Sequence, residues 1–172
     1  GYEIAGTVED SITFKDTHDF FIAIGNNDLR SRIHKEISLQ NISIVSLIHP
    51  GSLISQFSYI GVGSIVMAGS IINSGTKIGN GSIVNTNSSI DHDCLIGDFT
   101  HISPGTVMGG TCKVGRLTWI GIGSTVINNI TIGSNCVIGA GSTVLKNIES
   151  NMLAIGTPCV PIKLYNENKG VI

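Results

Sequence analysis

His92 stands between Asp91 and Asp93, and His101 follows nine residues later, in the run DHDCLIGDFTHISPG at 91–105. A histidine of unperturbed pKa about 6.5 can take a proton near neutral pH, and a carboxylate that orients its ring turns it into a general base. Asp91 and Asp93 are equally near in sequence, so spacing alone does not choose between them. The surrounding chain is built from Ile, Val, Gly, Ser and Thr, which gives these polar residues their contrast.

The elements that must position them come from a six-residue register. Beginning at Ile48 and ending at Val144, every sixth residue is Ile or Val, with Met108 the one exception among 17 positions. The residue four further on is Ser, Thr or Cys at 15 of the 17, the exceptions being Ile130 and Ile148. A period of six fits neither the 3.6-residue helical turn nor a heptad; it fits a short strand and a tight turn, repeated. Three such units close a triangular coil of about 18 residues, each strand stacking about 4.8 Å over the one before it. The reading is a parallel β-helix, mainly β in class, whose inward Ile and Val positions form the core. Cys94, Cys112 and Cys136 occupy the small inward slot and are read as packing residues.

Residues 18 apart share a column, which puts His92 in line with Gly110, Asn128 and Lys146. His92 is the second residue after Ile90, at an outward or corner position. His101 lies half a coil away and points from another part of the prism, so it is not expected to assist its own His92. His18, His34 and His49 carry no signal of this kind.

The first 45 residues have a different texture. YEIAGTV and DFFIAIG are β-prone, NNDLRSRIHKEI carries Leu29, Ile33 and Ile37 at helical spacing with Asn26 or Asn27 as cap, and NISIVSLI is a further strand-like run. The expected order is strand, loop, strand, helix, strand, a parallel sheet that would be incomplete with one covering helix. The expectation is therefore a truncated α/β unit over 1–45, the β-helix over 46–150 and a capping segment over 151–172.

Composition narrows the partners. Ten basic against twelve acidic residues, with no basic cluster, gives no footprint for nucleic acid or an anionic membrane surface. No apolar run approaches the roughly 20 residues of a membrane span, and no secretory leader pattern opens the chain, so a soluble cytoplasmic protein is expected. Four cysteines without CxxC spacing predict neither a disulfide framework nor a zinc knuckle. His92 and His101 lack the close pairing and third histidine of the zinc carbonic anhydrases built on this architecture, and no metal site is expected. A purely structural solenoid would show a regular Thr or Ser face, which the irregular outer positions do not.

The [Ile/Val/Leu]-Gly-x-x-[Ser/Thr/Ala]-x pattern over 47–148 resembles the hexapeptide-repeat acyltransferases, and that resemblance implies a left-handed coil. AIGNNDLRSRIHKEI followed by DHDCLIGDFTHISPG is similar to the sugar acetyltransferases that include UDP-4-amino-sugar N-acetyltransferases and sialic acid O-acetyltransferases. The resemblance implies direct transfer from acetyl-CoA to the amine of a UDP-4-amino-4,6-dideoxy sugar, with O-acetylation of sialic acid or another glycan precursor as the alternative. It makes His92 the base and Asp93 its partner. It places acetyl-CoA along the β-helix between two protomers of a homotrimer, lined by Ile122 and Ala140; the column shared with His92 separately suggests room for the thioester over Gly110 and a phosphate near Lys146. His101 would then reach a neighbour's His92 and bond the acetyl carbonyl or thiol. Glu9, Asp10, Gly25, Asn26 and Asn27 fall where relatives contact the nucleotide. The family's opening GxGGH turn is missing from this chain, and the closing Gly156-x-Pro158 turn is present.

Overall fold

A computed structural model describes residues 3–165. Tyr2 of the first expected strand and 166–172 of the closing segment lie outside the described residues.

From Leu47 to Val144 the chain winds through two-residue strands separated by four-residue turns. Each strand up to Thr125–Val126 pairs in parallel with the one 18 residues on, as Leu47↔Ile65, Leu53↔Ile71 and Tyr59↔Lys77 begin to do on the three faces. We call the faces that start at Leu47, Leu53 and Tyr59 the first, second and third. The three edges are named by the faces that meet there. The first residue of each strand points outward and the second inward.

Fourteen inward positions, Val66 through Val144, are buried to 4% exposure or less. The other three of the expected 17 are not: Ile48 is half exposed and Ile54 and Ile60 are partly covered, because the first coil has a stacked neighbour on one side only. The Ser/Thr slot has a physical cause. An inward hydroxyl donates to an edge carbonyl, and on the edge between the third and first faces it also accepts from an amide of the next coil. Ser82, for example, donates to Gly97 O at 3.0 Å and accepts from Thr100 N at 3.2 Å. Cys94 and Cys112 do half of this with weaker donors, to Gly109 O at 3.3 Å and Ile127 O at 3.1 Å, and all four cysteines are buried and unpaired.

The N-terminal unit departs from the expectation. Residues 3–8, read as a strand, are irregular, and a 3-10 helix follows at Glu9–Phe14. Asp10 accepts from Thr7 N at 2.8 Å and Thr7 Oγ1 at 3.0 Å, the Thr-x-x-Asp pairing that starts helical turns and removes Thr7 N–H from any ladder. The other two strands reduce to one parallel bridge, Phe20↔Ile44. Helix α1, Asn27–Leu39, is capped by Asn26, whose side chain accepts from Leu29 N at 2.8 Å. Its inner face is Arg30, Ile33 and Ile37; Leu29, expected inside, is exposed.

Arg30 joins this unit to the solenoid. It is 1% exposed and donates to Gly81 O at 2.6 Å and Phe99 O at 3.1 Å on the edge between the third and first faces, and to Ile24 O, Gly25 O and Asn27 Oδ1 in its own unit. At the other end of the chain, Met152–Gly156 adds a parallel strand to the first face and Cys159–Leu164 pairs antiparallel to it.

Candidate active site

His92 and Asp93 lie in the turn 91–94, on the edge between the second and third faces, and both are exposed. Asp93 adopts φ 56°, and this left-handed turn swings its carboxylate back so that Oδ2 meets His92 Nδ1 at 2.9 Å. Asp91 does a different job: its Oδ1 accepts from His92 N at 2.8 Å and from Asn73 Nδ2, one coil below, at 2.9 Å. The two carboxylates are thus told apart, Asp93 on the imidazole and Asp91 on the backbone. Bonding to Asp93, then the charge of Asp91, holds the His92 pKa above the ordinary histidine range. Nε2, opposite the bonded nitrogen, is the atom left to exchange a proton.

The column rule puts Gly110 one coil above His92, and the imidazole lies flat against it. A Cβ on Gly110 would come within 2.6 Å of Nε2 and 2.7 Å of Cε1. The room that Gly110 leaves is therefore filled by the ring. Asn128 and Lys146 continue the column and are exposed.

His101 is elsewhere, on the first face, stacked on Trp119 with centroids 6.1 Å apart and planes 12° from parallel. Asn85 fixes its protonation. The Asn85 Oδ1 accepts from Thr86 N at 2.8 Å, which turns Nδ2 toward His101 Nε2 at 3.1 Å. Nε2 is then the acceptor and the ring proton sits on Nδ1. Burial, and secondarily the Arg30 charge, pull the His101 pKa down to about 4, so the ring is neutral near pH 7 and offers Nδ1–H as a donor.

Ile122 and Ala140 are exposed on the edge between the first and second faces, on adjacent coils. Beside them Gly123 and Gly141 have no atom within 4 Å of where a Cβ would stand, an open backbone along which a ligand can lie. Glu9 and Asp10 are exposed in the 3-10 helix, and Gly25 and Asn26 are exposed at the start of α1. Asn27 has its amide committed to Leu117 O and Thr118 O at 3.2 and 3.3 Å. One chain therefore brings together His92, Asp93 and Gly110, and distributes His101, the Ile122/Ala140 pair and the α1 terminus over the rest of the prism. Asn73, Asn85, Trp119 and Arg30 were not picked out by sequence reasoning. Asn73 was within reach, being 18 before Asp91.

A family model described as bacterial transferase hexapeptide (six repeats) matches residues 75–110 and 111–146. The β-helix is accordingly of the left-handed hexapeptide type. Among solved structures, PerB from Caulobacter crescentus, in complex with CoA and GDP-perosamine, is 33% identical with a TM-score of 0.88, over 90% of this chain and 76% of that one. The perosamine N-acetyltransferase of the same bacterium, with one histidine replaced by asparagine and the same two ligands, is 32% identical with a TM-score of 0.88, over 90% and 75%. The acetyltransferase domain of PglB from Neisseria gonorrhoeae, in complex with acetyl coenzyme A, is 34% identical with a TM-score of 0.91, over 94% and 80%. The chain belongs to the acetyl-CoA-dependent sugar acetyltransferases of the hexapeptide-repeat family. No helix among the described residues is long and apolar enough to cross a membrane.

Proposed function

We propose that this enzyme transfers the acetyl group of acetyl-CoA to the amine of a UDP-4-amino-4,6-dideoxy sugar, with His92 as general base. The observation that carries the reading is the His92–Asp93 pair, set on an exposed edge with its Nε2 free and Gly110 behind it. Attack of the amine on the thioester carbonyl leaves a cationic nitrogen. His92 Nε2 takes that proton and returns it to the departing thiolate, so the base ends the cycle as it began and no acyl-enzyme is needed. Asp93 stabilises the imidazolium between the two transfers. His101 donates Nδ1–H to the acetyl carbonyl, and because it faces away from its own His92 the donor comes from a second protomer. Gly25 and Asn26, with Glu9 and Asp10, receive the nucleotide; Asn27 holds the terminus that presents them.

A homotrimer supplies that second protomer, and the outward residues support it. Lys77 and Lys113 stand outward on the third face, whereas the outward strand positions of the first and second faces carry no Lys, Arg, Asp or Glu. Val107, Ile122 and Ile127 leave exposed apolar surface at and beside the second face, and since Tyr59 and Leu95 do so on the third, it is the lysines that set the third face apart. An assembly that turns the third face to water and covers the other two satisfies both facts. Acetyl-CoA then runs along Ile122, Gly123, Ala140 and Gly141 of one protomer, with Lys146 available to a phosphate, and reaches His92 across the seam.

The test is a coupled assay of thiol release with acetyl-CoA and UDP- or GDP-linked 4-amino sugars, and with sialic acid as a hydroxyl acceptor. His92→Ala is expected to lower kcat by about 10²-fold or more with the fold intact. Full activity of that variant removes the base assignment, and preference for the GDP sugar or the hydroxyl acceptor replaces the acceptor named here.

A further inference from the structure

Asp93 reaches His92 only by folding back over the coil beneath it, and the residue it folds over is Gly75. Asp93 N donates to Ser74 O at 2.9 Å, which locks the two turns together. With the backbone so fixed, the Asp93 carboxylate has one oxygen on His92 Nδ1 and the other, Oδ1, lying where a Gly75 side chain would be; a Cβ there would overlap Oδ1 and stand 3.2 Å from Cγ. The dyad is thus held between two glycines, the imidazole against Gly110 above and the carboxylate against Gly75 below.

We propose that Gly75 is a positioning residue of the acetyltransferase: its missing side chain is the space that lets the Asp93 carboxylate turn toward His92, so the residue one coil below sets the orientation of the base. The proposal rests on the reading of His92 and Asp93 as the catalytic pair. The same edge turn offers a matched control. Gly69 also has a left-handed φ, 69° against 76° for Gly75, and a Cβ there would overlap Asn87 Oδ1 in the same manner, but on the edge between the first and second faces. Alanine at either position carries equal backbone strain. Only Gly75→Ala disturbs the dyad.

The experiment compares Gly75→Ala, Gly69→Ala, Asp93→Gly and the double variant Gly75→Ala/Asp93→Gly. Glycine at 93 keeps the left-handed turn while deleting the carboxylate. Two readouts are taken: the pH profile of kcat/KM, and the NMR titration of the His92 imidazole. Gly75→Ala is expected to lower kcat/KM about 10-fold or more, to move the acid limb to lower pH and to shift the His92 titration toward that of Asp93→Gly. Gly69→Ala is expected to match the wild type in both. In the Asp93→Gly background Gly75→Ala should add no further loss, since the group it displaces is gone. An unshifted His92 titration in Gly75→Ala, an equal effect of Gly69→Ala, or an undiminished effect in the double variant each overturns the proposal. The titration decides it independently of turnover, so loss of the base assignment by an active His92→Ala would be recognised separately.

Discussion

Replacing Arg30 by Met keeps most of the side chain's length and apolar stem and removes every donor. Two solenoid carbonyls, Gly81 O and Phe99 O, lose their buried partner, as do Ile24 O, Gly25 O and Asn27 Oδ1. An orphaned buried acceptor costs about 1–3 kcal/mol. The two on the solenoid give about 2–6 kcal/mol, part of which is returned because the variant no longer desolvates a guanidinium; burial already lowers the Arg30 pKa to about 10. A net loss of about 3 kcal/mol corresponds to roughly 10²-fold more frequent opening of α1. The loss is local, since the 14 buried inward residues of the β-helix do not include Arg30. Hydrogen exchange should therefore show Asn27–Leu39 losing about two decades of protection while the coils from Val84 to Val144 keep theirs. KM for the nucleotide sugar should rise with that for acetyl-CoA unchanged. Unaltered exchange in α1, or an equal loss across the coils, would refute the idea that this arginine is the clasp between the two parts.

Two further outcomes follow from the site. Gly110→Ala places a methyl 2.6 Å from His92 Nε2, and since the φ of Gly110 is not left-handed, the backbone accepts it; kcat/KM should drop by about 10²-fold through displacement of the ring, with thermal stability close to wild type, and a fully active variant would show that the ring is not held there. His101 resists protonation in the folded chain, titrating at about 4 rather than about 6.5, so the unfolded chain binds the extra proton and stability falls as pH drops between those values. In His101→Phe, which retains the stack on Trp119, that part of the acid loss, about 2 kcal/mol after discounting for partial exposure, should vanish from denaturation curves taken at pH 7 and pH 4; an unchanged pH dependence would sink the assignment.

The β-helix was legible because each inward slot is filled by local rule: a residue six further on meets the same environment, so 14 of 17 inward positions behave alike and the three that do not belong to the first coil. His92 stood out against the same periodicity, and column arithmetic led from it to Gly110, but the spacing left Asp91 and Asp93 open because both flank the ring and only the turn geometry separates them. The same arithmetic applied downward leads from Asp91 to Asn73 and from Asp93 to Gly75. The N-terminal unit obeys no such rule. Helical spacing favoured Leu29, yet the side chain drawn inward is Arg30, because five carbonyl or amide oxygens converge there from segments far apart in sequence. A buried charge satisfied at long range leaves no periodic trace. Thr7-x-x-Asp10 did leave one, and it outweighs the β-prone residues around it since a side chain that bonds its own backbone is always close at hand.

Left-handed turn positions recur along the solenoid. The repeat puts glycine at many of them, and asparagine is the usual substitute, as at Asn87, Asn129 and Asn135. Four solenoid positions depart from that habit: Asp93, Phe99, Thr111 and Leu117. A left-handed backbone costs a residue with a Cβ about 1–2 kcal/mol, so each departure needs an offsetting contact. Asp93 has His92. Thr111, one coil above, donates its hydroxyl to Gly110 O at 2.6 Å, beside the glycine that backs the His92 ring. Phe99 and Leu117 lie under the N-terminal unit: the Phe99 ring meets His34 edge-on at 5.3 Å and its carbonyl receives Arg30, while Leu117 O receives Asn27. The strained turns therefore mark two places, the edge that carries the His92–Asp93 pair and the edge that carries the helix. In a coil whose every rung obeys one rule, the rungs that break it show where the chain does something besides stack.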